Sequence, residues 1–238
     1  MTSDSGTTKR VNGHFDDDAQ RYQQLRAGRQ FGRRLARTLD FLAGARPDDL
    51  VLEIGAGTGG LLEAMADARP DLRYVGVEPL ANYVDFARDR WAGRDAERLR
   101  MVHGTAERLG DLVDERARWV VSHDVLHHVD DIGATAGAAA AVSTSDARWL
   151  AVEPNRANPW VAVYHLAAPG ERLFNQRAFV AAAERRGWRA TERFRMFLIP
   201  HALHSPSDRL VRLEDRYEHL PVVSGAVGVV LERSAQPA

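Results

Sequence analysis

The residues most able to do chemistry lie in and just after a glycine-rich run, Glu53-Ile54-Gly55-Ala56-Gly57-Thr58-Gly59-Gly60. Glycines there let a chain turn sharply out of a strand and let a ligand approach the main chain closely. Gly55, Gly57 and Gly60 satisfy the G-x-G-x-x-G pattern, which a dinucleotide or an adenosyl ligand could equally use. Glu53 separates the two. A carboxylate at that position repels a pyrophosphate but suits a ligand that carries positive charge. A second acid, Glu78, ends Val75-Gly76-Val77-Glu78-Pro79, where two carboxylate oxygens could accept both hydroxyls of a ribose. Further on, Val121-Ser122-His123-Asp124-Val125-Leu126-His127-His128 brings three imidazoles that can hold or move a proton near neutral pH.

Val51-Leu52-Glu53-Ile54-Gly55-Ala56-Gly57-Thr58-Gly59 closely resembles the first motif of class I S-adenosylmethionine-dependent methyltransferases. The resemblance implies a Rossmann-like fold and S-adenosyl-L-methionine as cofactor, leaving as S-adenosyl-L-homocysteine. It implies cofactor contacts from Glu53, Gly55, Ala56, Gly57, Gly59, Glu78 and Pro79. His103-Gly104-Thr105-Ala106-Glu107 is similar to the family's adenine-binding turn, with Thr105 where an Asp is usual, so Thr105, Ala106 and Glu107 join that set. His123 belongs to it too.

The Leu126-His127-His128 segment is similar to a stretch common in small-molecule methyltransferases. His127, His128 and His123 are therefore the catalytic candidates, although any single histidine is as readily a packing or hydrogen-bonding residue. Asp124, His127 and His128 also have the spacing of a metal set proposed in ubiquinone-pathway O-methyltransferases, but the reading preferred here has no metal. Acceptor contacts are expected from Tyr22, Asn155, Trp160, Tyr164 and His201.

Elements must carry these residues to one place. Short apolar runs alternate with helical stretches after Pro47, the pattern of a mostly parallel sheet covered by helices. The runs place strands at Leu50 to Ile54, Arg73 to Val77, Arg100 to His103, Trp119 to His123 and Arg148 to Glu153. Ala190 to Leu198 and Ala226 to Arg233 are β-like and complete seven strands, the last antiparallel. Helices are predicted at Leu61 to Ala68, Ala81 to Trp91, Ile132 to Ser143 and Phe174 to Arg186. Ser205 to Leu220 reads as an inserted helix, and Asn158 and Pro159 as the cap and first residue of another. The expected fold is α/β, a Rossmann-like three-layer sandwich. Residues 1–13 read as a disordered tail, 14–46 as an N-terminal helical cap, and 47–238 as the methyltransferase domain, with an acceptor-site insertion about 200–221.

The 238 residues, 45% hydrophobic, suffice for one sizeable core. With 33 acidic residues against 32 basic, no global field draws the chain to nucleic acid or an anionic bilayer. No cysteine is present, which excludes disulfides and thiolate chemistry. The start lacks the apolar core of a signal peptide, and no run approaches a membrane span, so a cytoplasmic protein without membrane insertion is expected. The expected partner is a small-molecule methyl acceptor, with no nucleic acid and a homodimer left open. The function expected is methyl transfer to an oxygen, nitrogen or carbon nucleophile of a small molecule, a specialised metabolite. The alternatives are a non-catalytic cofactor-binding module and an NAD-dependent oxidoreductase.

Overall fold

The computed structural model describes residues 18–168, 171–200, 203 and 205–234. The expected tail, the first residues of the expected cap, and His201 and His204 lie outside these residues. Two helices open the described chain, α1 (Ala19–Arg26) and α2 (Arg29–Phe41). Asp18 caps the first through a hydrogen bond accepted from the Arg21 N–H.

The sheet strands follow as β1 (Leu50–Ile54), β2 (Arg73–Glu78), β3 (Leu99–His103), β4 (Ala117–His123), β5 (Ser143–Pro154), β6 (Trp188–Met196) and β7 (Ala226–Arg233). Between them run α3 (Gly60–Ala68), α4 (Ala81–Arg90), α5 (Leu109–Leu112), α6 (Ile132–Ala141), α7 (Pro159–Ala167), α8 (Gln176–Glu184) and α9 (Asp208–Tyr217). The strand order is β3-β2-β1-β4-β5-β7-β6. β7 runs antiparallel to both β5 and β6, and the remaining pairs are parallel. The reversal at β7 departs from the all-parallel order of a dinucleotide-binding sheet, which argues against the oxidoreductase alternative.

Alternation along β1 explains the layers. Leu50, Leu52 and Ile54 enter one core with Trp149, Phe179 and Trp188, whereas Val51 enters the other with Leu62, Met65, Tyr74 and Trp119. Trp149 satisfies its indole N–H on the Ser122 hydroxyl at 3.0 Å, so the large ring is buried without an unpaired donor.

Element ends differ from the sequence expectation where local chemistry intervenes. β6 stops at Met196 because Phe197 takes a left-handed φ of 67°, which turns the chain out of the sheet. α8 starts at Gln176, since Asn175 accepts from the Ala178 N–H and caps it. α6 ends at Ala141, and β5 begins five residues earlier than predicted, at Ser143 rather than Arg148. The inserted helix contracts to Asp208–Tyr217 with Ser207 as cap. α5 had no counterpart in the sequence reading. Asn158 and Pro159 do start α7, and the Asn158 side chain accepts from the N–H groups of Trp160 and Val161.

The inserted helix is tied down by a carboxylate. Glu214, fully buried on α9, accepts from the Leu198 and Ile199 N–H groups at 2.9 Å each and pairs with Arg29 and Arg33 of α2. The N-terminal helices and the segment after β6 thus close over the carboxyl ends of the central strands, where ligands of such sheets bind.

Candidate active site

At the end of β1 the chain leaves the sheet through Gly55, whose φ is 70° and whose N–H bonds the Val77 carbonyl at 2.8 Å. A Cβ there would lie 2.3 Å from the Val125 side chain, so only glycine fits. Gly57, with φ 55°, directs its N–H to Oε2 of Glu78 at 2.8 Å, and the Leu80 N–H reaches Oε1 at 3.1 Å. The turn and the β2 carboxylate are therefore one unit.

They line a cavity of about 170 Å³ that also meets Glu53, Ala56, Pro79 and Ala106. Glu53 is buried, and its Oε2 has no hydrogen-bond partner among the described residues. Burial, with the nearby Glu78 charge, pushes its carboxyl up to about 8. Burial raises Glu78 to about 7 against the lowering effect of its two backbone N–H donors. A buried carboxylate with an unmet lone pair suits an ammonium group, and the glycine cradle leaves room for an adenosyl ligand at the main chain. These residues fit S-adenosylmethionine. Gly59, Thr105 and Glu107 are not brought to the cavity wall. Gly59 packs under Trp91, Thr105 is buried, and Glu107 accepts from the Asp130 N–H at 3.0 Å, tying two loops together.

Beyond this cavity lies a chamber of about 820 Å³ bounded by Trp160, Tyr164, Phe197, Ile199 and Val222. Tyr22, Arg26, Arg34, Asp124 and His128 line both spaces. Asp124 accepts from Arg26 at 2.8 Å and from Arg34 at 2.6 Å, and the two guanidinium charges outweigh its burial and hold its carboxyl well below the usual range. That engagement removes Asp124 from the metal set its spacing had suggested.

The three candidate histidines separate physically. His123 lines the first cavity, with Nε2 3.2 Å from the Thr38 hydroxyl, which itself donates to the Arg34 carbonyl. His123 must therefore donate from Nε2, leaving its Nδ1 lone pair without a partner among the described residues. Burial and the Arg34 charge lower it to about 3, so it is a neutral, weak base.

His127 lies in the chamber between two carboxylates, with Glu153 Oε2 at 2.6 Å from Nδ1 and Glu171 Oε2 at 3.0 Å from Nε2. Burial opposes its charge, but hydrogen bonds to both acids prevail and push it up to about 10. It carries a proton rather than taking one. His128 is the one of the three on both walls.

Of the expected acceptor contacts, Tyr22, Trp160 and Tyr164 line the chamber. Asn155 does not. Its Nδ2 donates to the Pro221 and Ser224 carbonyls and the Ser224 hydroxyl, and its Oδ1 accepts from the Ala157 N–H, a structural clamp.

Sequence reading had missed Arg26, Arg34, Glu153 and Glu171. Glu153 ends β5 on the ligand side of the sheet, a placement that was legible. Glu171 sits in an irregular connection with no local pattern.

Residues 52–148 match the family model described as a methyltransferase domain. No curated protein matches the sequence. Among solved structures, the chain resembles geranyl diphosphate C-methyltransferase of Streptomyces coelicolor A3(2), solved with Mg2+, geranyl diphosphate and S-adenosyl-L-homocysteine. The TM-score is 0.66 at 16% identity, covering 85% of this chain and 79% of that one. It also resembles a SAM-dependent methyltransferase of Archaeoglobus fulgidus, with a TM-score of 0.65 at 14% identity over 85% and 94% of the two chains. Likeness at these identities concerns the fold.

Proposed function

We propose that this chain is a class I S-adenosylmethionine-dependent methyltransferase, a reading supported by the methyltransferase-domain match over residues 52–148 and by the strand order, and that its acceptor is a small molecule held in the second chamber. The observation that carries the reading is the shared wall. Tyr22, Arg26, Arg34, Asp124 and His128 border both spaces, so a group held in the first can meet a nucleophile held in the second across them.

The cofactor, when bound, supplies an electrophilic methyl group on a sulfonium. Glu53 would hold its ammonium, and Glu78 would use its remaining lone pairs on the ribose hydroxyls. The protein's part is then positioning and exclusion of water. Trp160, Phe197 and Ile199 give the chamber apolar walls, and His127, His128 and Glu171 give it one polar corner. An acceptor with an apolar body and one oxygen, nitrogen or carbon nucleophile, such as a specialised metabolite, matches that lining. His128 would orient or accept a proton from the nucleophile, because His127 is already protonated and His123 is a weak base.

The small-molecule substrate of the Streptomyces relative supports the same class. The near balance of acidic and basic residues supports it over nucleic acid. No helix among the described residues is long and apolar enough to cross a membrane. A cytoplasmic setting and a homodimer belong to the same proposal, and light scattering checks the second.

The test is turnover with methyl-labelled S-adenosylmethionine against fractionated small-molecule extracts and, in parallel, nucleic acid and protein. Label in a low-mass product is expected. Label confined to macromolecules would overturn the small-molecule reading. Tight cofactor binding with no turnover against any acceptor would instead favour a non-catalytic module.

A further inference from the structure

In the polar corner of the chamber, side chains from three segments converge on Glu171, which His165 of α7 also meets, with Nδ1 3.1 Å from Glu171 Oε2. Glu171 Oε2 lies 3.0 Å from His127 Nε2 and 3.7 Å from His128 Nε2. One donor atom from each of the three residues lies within 4.8 Å of the others, and each side chain is at most 9% exposed. Donor atoms bound to a single ion at about 2.1 Å stand roughly 3.0 to 3.4 Å apart, so a small adjustment of one ring brings this trio into range.

Behind His127, Glu153 takes the Nδ1 side at 2.6 Å, which turns Nε2 toward Glu171 and the chamber. A carboxylate behind a ligating imidazole is the usual means of fixing the ring and raising its basicity. Glu153 is itself anchored by the Val125 and Leu126 N–H groups at 2.9 and 2.8 Å.

We propose that His127, His128 and Glu171 form a binding site for one divalent transition-metal ion, with coordination positions open to the acceptor chamber. Two imidazoles and one carboxylate favour zinc, manganese, cobalt or iron over magnesium or calcium, which prefer all-oxygen sets. The ion would take the place of the Nε2 proton that His127 otherwise carries and would occupy the lone pair with which metal-free His128 accepts a proton, and its open positions would take water or an oxygen of the acceptor. This site differs from the one the local spacing suggests, because Asp124 is engaged by Arg26 and Arg34 and the carboxylate comes from Glu171. Metal binding here does not depend on which acceptor the chamber takes.

The test uses the full chain stripped with a chelator, dialysed, and titrated with zinc chloride by calorimetry, with bound metal counted by mass spectrometry. One zinc per chain is expected, with no comparable uptake of magnesium. Glu171→Gln and His128→Ala should each weaken zinc binding at least about tenfold, and Glu153→Gln about 10- to 100-fold, as outer-shell partners do. Cobalt added to the unmutated chain should give visible absorption of imidazole-ligated cobalt, which Glu171→Gln abolishes or shifts. That readout stands even where His128→Ala fails to fold. Absence of stoichiometric zinc, or zinc binding and a cobalt spectrum indifferent to Glu171→Gln, would overturn the site. Cofactor affinity, measured on the same samples, is expected to stay intact, so failure here is distinct from failure of the methyltransferase reading.

Discussion

Glu153 Oε2 lies 2.6 Å from Nδ1 of His127, and both side chains are almost wholly removed from water. The pair joins the end of β5 to the loop after β4. It stabilises the protonated ring, and the sign of the consequence follows from linkage. A histidine raised from its ordinary 6.5 to about 10 contributes stability in full below about 6.5 and loses it as pH rises toward 10. Chelator-treated protein should therefore become easier to unfold in urea between those limits. Glu153→Gln should bring the His127 titration, followed by NMR, down by more than one pH unit and lower stability by about 3 kcal/mol, the scale of breaking a buried pair. A His127 titration unmoved by that change would refute the coupling.

Glu53 offers a second pH effect, of opposite chemistry. Its carboxyl is raised to about 8 by burial and by Glu78, so the cofactor-free site holds a proton at neutral pH. A cationic ligand needs the ionised form. Affinity for S-adenosylmethionine should fall by up to about tenfold for each pH unit below 8, with proton release on binding visible as a buffer-dependent heat in calorimetry. Glu53→Gln should flatten the profile and cost about 1.5 to 3 kcal/mol of affinity at pH 8.5. In the cofactor-free protein the same raised carboxyl stabilises the fold at acid pH and ceases to do so as pH climbs from about 4.5 to 8.

Asp124 combines strain with charge. Its φ of 52° is left-handed, a conformation that Asn tolerates and Ala does not, and its carboxylate holds both Arg26 and Arg34. Asp124→Asn thus isolates the charge, and Asp124→Ala adds the backbone cost. The first should destabilise by about 3 kcal/mol, as removing one partner of a buried pair does. The second should add about 1 kcal/mol more. Equal losses in chemical denaturation would show that the left-handed backbone is not a constraint here.

The glycine-turn half of the candidate site was legible in the sequence because one local turn carries it. Gly55, Gly57 and Glu78 lie within two adjacent strands and their loops, and the structure joins them through the hydrogen bond from Gly57 to Glu78. The chamber was not. Its polar corner joins His127 to Glu171 across a chain separation with no periodic signal, and its ceiling depends on Glu214 meeting Arg29 and Arg33 through tertiary packing. Ionisation was equally hidden. His127 and His123 have the same side chain and sit four residues apart, yet two facing carboxylates raise one, while burial and a neighbouring guanidinium lower the other.

Asn155 tests the division between framework and site. Sequence position placed it beside the acceptor, whereas the structure satisfies its amide through Pro221, Ser224 and Ala157. Those bonds hold the end of β5 against the chain entering β7, directly below the chamber floor formed by Pro154 and Ala226. Asn155→Ala should remove the donor from the Pro221 carbonyl and the buried Ser224 hydroxyl, leaving the Ser224 carbonyl to Asn158 alone, and cost about 1 to 3 kcal/mol of stability. Asn155→Asp removes the donating amide and puts an acceptor against the same oxygens, so it should cost at least as much. Neither change removes a group that faces the acceptor. Once an acceptor is in hand, the alanine variant assayed well below its lowered melting temperature should keep KM within about twofold of the parent, since a group that makes no substrate contact removes no binding energy. A KM raised tenfold with stability unchanged would return Asn155 to the binding site.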